Sequence, residues 1–263
     1  MFSVFRRWRR QRAAQRTEIS AAQWAEVESA LPFLDFIPPS ERPRLRQLAL
    51  ELLADKEVHG AHGLVVTDTM LLSIALQACL PVLHRGLDAY SGWVGIVIYP
   101  GDFLISRQVA DEDGIVHEYD DEVLGEAWEG GPVILSWPAG HEDIAGINVV
   151  IHEFAHKLDM ENGGVDGFPR LPPEMSPAVW AAAFQPAYDD FCGRVDRDEE
   201  TLLDPYGAEH PGEFFAVMSE AFFETPSLLK ALYPAVYQQL SQYYRLDPAL
   251  RDTHGRQPSI LAC

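Results

Sequence analysis

The sequence predicts an α+β fold, mostly helical, with a small mixed sheet set beside one functional helix. Three observations carry this. Apolar residues recur at helical spacing along most of the chain, three short β-branched runs interrupt them, and the last run precedes an apolar stretch that ends in His-Glu-x-x-His.

Residues 21–31 read as a first helix, closed by Pro32, Pro38 and Pro39. Ser40 is placed to cap a second helix over 41–56, where Leu45, Leu48, Leu50, Leu52 and Leu53 form an apolar stripe. His59-Gly60-Ala61-His62-Gly63 reads as a turn, and no third ligand type accompanies its histidines, so no metal is assigned there. Residues 68–84 are apolar nearly all round, the pattern of a buried helix, and Cys79 within them reads as core packing.

Runs 94–99, 103–109 and 133–137 supply the strands of the small sheet, with the acidic segment 111–122 as an exposed hairpin or loop. Strand 133–137 comes just before the functional helix. Its edge is therefore expected to lie along a cleft and to take an extended peptide by main-chain hydrogen bonds at Ile134 and Ser136. Gly163 and Gly164 end the functional helix. A helix over 173–192 places Trp180, Phe184, Tyr188 and Phe191 near one side, and 196–200 is a solvated acidic loop. Helix 211–224, stopped by Thr225-Pro226, and helix 234–244, with Tyr237, Leu240 and Tyr244 inward, complete the fold.

The chemistry sits in Val149-Val150-Ile151-His152-Glu153-Phe154-Ala155-His156. Residues four apart share a helix face, so His152 and His156 can offer two imidazoles to one metal ion. Glu153 flanks that position and is placed as general base toward water at the metal. A catalytic zinc needs a third protein ligand and an open fourth position. A third histidine is ruled out, because Asp159 and Asn162 stand where H-E-x-x-H-x-x-G-x-x-H requires Gly and His. A glutamate on the later helix remains, either Glu213 or Glu220, which share one face. Tyr206, in Asp204-Pro205-Tyr206-Gly207, is either an oxyanion donor or an ordinary turn residue. Asp159 either accepts a hydrogen bond from a ligand imidazole or caps a neighbouring segment.

The residues His152-Glu153-Phe154-Ala155-His156, Asp159, Tyr206-Gly207 and Glu213-Phe214-Phe215-Ala216 resemble the Mlc titration factor A family of zinc peptidases, whose core is similar to the anthrax lethal factor protease domain. Segments 92–100 and 130–137 extend the resemblance, which runs from about Pro32 to about Tyr244. It implies a zincin-like, gluzincin-type metallopeptidase in which His152, His156 and Glu213 bind Zn2+, Glu153 is the base and Tyr206 stabilises the oxyanion. It also implies an aminopeptidase-like preference for small peptides. A second reading is a regulatory protein that sequesters a transcriptional repressor of sugar uptake.

Forty acidic against 20 basic residues give a net charge of -20, which disfavours nucleic acid as a direct partner. Cys79, Cys192 and Cys263 form no C-x-x-C pair, so a reducing, cytoplasmic setting is expected. No apolar run is long enough for a transmembrane segment, and no signal peptide is evident. The expected organisation is a basic arm at 1–16, a metallopeptidase domain at 17–245 and a tail at 246–263. The arm, with six arginines and interleaved aromatics, reads either as a docking element or as a solvated tail.

Overall fold

The computed structural model describes residues 18–101, 103–110, 116–123, 125–128, 130–137 and 148–250. The expected arm at 1–16, residues 111–115 of the acidic segment and residues 251–263 of the expected tail lie outside them.

Helix α1 (Ala21–Ser29) opens with a reciprocal cap between Ser20 and Gln23. Helix α2 (Arg42–Asp55) is not capped by Ser40 as expected. The Glu41 and Arg42 N–H groups already bond the Pro38 carbonyl, which removes the need for a side-chain acceptor. Helix α3 (Asp68–Cys79), capped by Thr67, ends at Cys79 and not at 84. Pro81 cannot continue the ladder, while Leu80, Val82 and Leu83 stay fully buried and so imitate a helix in the sequence.

Strand β1 (Glu57–Gly60) takes up part of the expected histidine turn and pairs in parallel with β2 (Gly95–Tyr99). The turn itself follows, and Gly60 is obligatory there, since a Cβ would stand 2.1 Å from the Leu64 carbonyl oxygen. Strands β3 (Phe103–Ala110) and β4 (Val116–Val123) form a separate antiparallel pair. The acidic segment is thus partly a hairpin, and 103–109 pairs with β4 and does not join the main sheet. Strands β5 (Gly125–Ala127) and β6 (Val133–Ser136) complete a four-stranded sheet of order β1-β2-β6-β5, parallel except for β5.

That order corrects the expected peptide edge. β6 lies between β2 and β5: Ile134 is paired on both sides, with Val97 and Glu126, Ser136 is paired with Tyr99 of β2, and β5 is the terminal strand next to the functional helix. Ile96, Ile98, Val133 and Leu135 are fully buried. Helix α4 (Val149–Asp159) packs on β5 and β6.

Helix α5 (Pro177–Val195) starts later than 173, after a turn in which the Met175 N–H bonds the Pro172 carbonyl. Its Trp180 stacks on Phe184 at 4.1 Å and reaches Phe215 and Tyr243. Helices α6 (Pro211–Glu224), α7 (Pro226–Leu232) and α8 (Pro234–Tyr244) close the core. Short α7 escapes the sequence reading, since proline at its first position starts it as readily as it stops α6. Residues 246–250, the start of the expected tail, lie against α8: the Ala249 N–H donates to the Tyr237 phenol at 2.9 Å. Among the described residues no helix is long and apolar enough to cross a membrane.

Candidate metal centre

Two helices build the site. Asn148 starts α4 by accepting the Ile151 N–H at 2.9 Å. Buried Val150, Ile151, Phe154, Ala155 and Leu158 fix the rotation of α4, with Phe154 edge-on to Tyr90 at 5.1 Å and Trp93 at 5.7 Å. The opposite face carries His152 and His156. Helix α6 begins at Pro211, with the His210 ring accepting the Gly212 N–H, and is anchored by fully buried Phe214, Phe215 and Phe222. Glu213 therefore projects from its first turn toward α4.

The three groups converge. Glu213 Oε2 stands 3.0 Å from His152 Nε2 and 3.1 Å from His156 Nε2, and the two Nε2 atoms are 3.1 Å apart. Ligand atoms about 2.0–2.1 Å from a tetrahedral zinc are separated by about 3.3–3.4 Å, so this near-equilateral triangle is close to the size a metal ion requires. Two imidazole nitrogens and a carboxylate oxygen are also the right donors for a borderline divalent cation. Burial pushes the His152 pKa down, but Glu220, Glu213 and Glu153 more than offset it and hold the ring well toward its cationic form. A divalent cation answers the same negative potential. Burial likewise opposes ionisation of Glu213, yet the two imidazoles hold its carboxyl well below the usual range.

Glu220, the other glutamate considered from spacing, lies behind His152 instead. Its Oε1 is 2.6 Å from Nδ1 of that ring, and its Oε2 accepts the Asn148 N–H at 2.5 Å. Asn148 Nδ2 donates in turn to Gln77 at 2.7 Å and Glu224 at 2.8 Å. Sequence reasoning missed this arrangement; the only signal was an asparagine three residues before Ile151, at a helix start.

Glu153 is buried beside the triangle, and its Oε2 makes no hydrogen bond among the described residues. Burial raises its pKa to about 7, with Glu213 and Glu220 adding to the rise and the two histidines opposing it. The β5 backbone presses on this side chain. A Cβ at Gly125 would lie 2.5 Å from Glu153 Oε1 and 2.6 Å from Val149, so only glycine lets the strand come so close. Nothing in the sequence marked Gly125.

Tyr206 lies in the 3-10 turn Pro205–Ala208, half-buried, its ring 6.1 Å from that of His152. Asp159 takes the capping role and not the imidazole one: its Oδ2 accepts the Gly167 N–H at 2.8 Å, and Oδ1 is unpaired among the described residues. Gly167, at φ +74, has room only for hydrogen because Pro211 O would meet a Cβ at 2.4 Å, and Gly212 is similarly pressed by Val165. Asp159 thus seats the loop against which α6 starts, which bears on where Glu213 stands. Lys157, one turn beyond Glu153 on α4, donates to the carbonyls of Trp128 at 2.5 Å and Gly131 at 3.0 Å and so fastens the β5–β6 turn.

The glucose-regulated metallo-peptidase M90 family matches residues 5–245, which include both helices. The chain belongs to that family. Members called Mlc titration factor A are similar over nearly their whole length. The one from Serratia proteamaculans is 37% identical over 235 residues, covering 88% of this chain and 89% of the relative. Those from Yersinia pestis and Yersinia pseudotuberculosis are 38% identical, covering 88% and 86%. Within this M90 chain the triangle of His152, His156 and Glu213 is a candidate metal site, and the metal that a metallopeptidase requires has a donor set that fits.

Proposed function

We propose that the chain is a zinc-dependent peptidase, with His152, His156 and Glu213 as zinc ligands, Glu153 as general base and Tyr206 as oxyanion donor. The observation that carries this reading is the triangle of ligand atoms 3.0–3.1 Å apart beside a buried carboxylate oxygen with no partner. Zinc held by three protein atoms keeps a fourth position open, and when bound it supplies Lewis acidity toward a carbonyl oxygen and acidifies water. Glu153 accepts the proton of the attacking water and returns it to the leaving amine. A pKa near 7 suits both halves of that exchange. Tyr206 donates its phenol proton to the oxyanion, a role supported by its place beside His152.

The substrate is an extended peptide seated on the outer edge of β5, the strand that touches Glu153, and small peptides are trimmed in the manner of an aminopeptidase. The setting is the cytoplasm. The test is metal content together with hydrolysis of aminoacyl and internally quenched peptides, with Glu153→Gln as control. One zinc per chain and cleavage that depends on Glu153 are expected. A Glu153→Gln protein as active as wild type overturns the assignment.

A second reading is favoured by the name of the relatives, which describes factors that titrate Mlc. Here the chain sequesters a transcriptional repressor of sugar uptake. If His152→Ala abolishes zinc binding and leaves capture of such a repressor intact, binding is separable from the metal site.

A further inference from the structure

Glu213 and Glu220 are seven residues apart on α6, close to two full turns, and they grip the same imidazole from opposite sides. Glu213 reaches Nε2 of His152 at 3.0 Å and Glu220 reaches Nδ1 at 2.6 Å. The ring nitrogens of His156 are not treated alike: Nε2 joins the triangle, while Nδ1 is buried and unpaired among the described residues. One ligand is therefore oriented by the opposing helix, and the other is not.

We propose that Glu220 is a positioning residue for the metal centre. It holds His152 as the tautomer protonated on Nδ1, so that the Nε2 lone pair faces Glu213 and His156, and through Asn148 it fixes the register of α4 against α6. Both oxygens of Glu220 are committed, one to the ring and one to the Asn148 N–H at the start of α4, where the helix dipole favours a carboxylate. Asn148 ties the same point to Gln77 of α3 and Glu224 of α6. A carboxylate fixing the remote nitrogen of a ligating histidine sets both its orientation and its basicity. The inference rests on the metal reading of the triangle.

The test uses the full chain and the variants Glu220→Gln and Glu224→Gln. A carboxamide at 220 keeps the volume but accepts from only one of its two N–H neighbours. Zinc affinity, measured by competition with a chromophoric chelator, is expected to fall about 10–100-fold in Glu220→Gln. Glu224→Gln sits in the same buried network, touches no ligand atom, and is expected to bind zinc as wild type does. Nitrogen-15 NMR of zinc-stripped wild type, at a pH where the ring is neutral, is expected to show His152 protonated on Nδ1, and Glu220→Gln to show a mixture with the Nε2-protonated tautomer. Equal affinity in all three proteins, or equal losses in both variants, overturns the proposal. So does a wild-type His152 without a proton on Nδ1, a result that decides the matter even if Glu220→Gln fails to fold. Wild type that binds no zinc yet keeps the Nδ1 proton refutes the metal reading and leaves the tautomer assignment standing.

Discussion

His152 and His156 lie one turn apart on α4, but the polar groups around them are organised differently. Behind His152, the Glu220 carboxylate, the Asn148 N–H and the Asn148 side chain form a continuous bonded chain. Around His156, three buried atoms are unpaired among the described residues: His156 Nδ1, Glu153 Oε2 and Asp159 Oδ1. Unpaired buried polar atoms cost about 1–3 kcal/mol each, so a fold retains them where something outside the protein framework satisfies them. On the function proposed above, the satisfied flank holds the geometry and the unsatisfied flank supplies the chemistry.

The comparison can be broken most sharply at Glu153. Glu153→Gln is expected to retain metal and lose about 10²–10⁴-fold in turnover, measured on a cleaved peptide. Wild-type turnover in that variant would remove the chemical meaning of the unsatisfied flank. Gly125→Ala comes next. The added methyl must displace Glu153 or β5, so turnover falls by about 10²-fold with zinc content unchanged, as a displacement of about 1 Å predicts. On the satisfied flank Asn148→Ala removes a helix cap, for about 1 kcal/mol, and also leaves the Gln77 and Glu224 side chains without their shared donor. A lowered unfolding temperature with zinc binding weakened is the expected result, read by calorimetry and titration.

A pH-dependent effect concerns Asp159, whose pKa burial raises to about 7 against the Gly167 N–H bond. The folded state prefers the neutral acid. That preference contributes stability fully present below the carboxyl's ordinary range near pH 4 and lost as pH rises through 7. Asp159→Asn keeps an acceptor for Gly167 and has no such proton. Its unfolding temperature is expected to gain on wild type between pH 5 and pH 8, and parallel profiles would show Asp159 to be ionised throughout.

Local patterns read well from the sequence, and pairings across the chain did not. The helical stripe of α4, its histidine spacing and the burial of α6 follow from periodicity alone, because they depend on neighbours three and four residues away. The order β1-β2-β6-β5, which leaves β3 with β4, joins segments far apart in the chain, a fact no short window contains. Pro81 and the burial of Leu80 to Leu83 show the same limit, since full burial hides the end of a helix. In the site, spacing placed Glu213 and Glu220 on one face but not which nitrogen each would meet. Gly125 carried no mark at all, because its role lies in how near a strand comes to another residue's side chain.

The bonds that tie α4 to α6 and to α3 are long in sequence. His152 meets Glu213 across 61 residues, Asn148 meets Glu220 across 72, and Asn148 meets Gln77 across 71. Closing such loops is entropically costly before any contact rewards it. The proposed metal centre is therefore complete only where α4 and α6 have come together. On the proposed function, the two histidines of α4 by themselves lack the third ligand, so tight metal uptake would report the assembled fold.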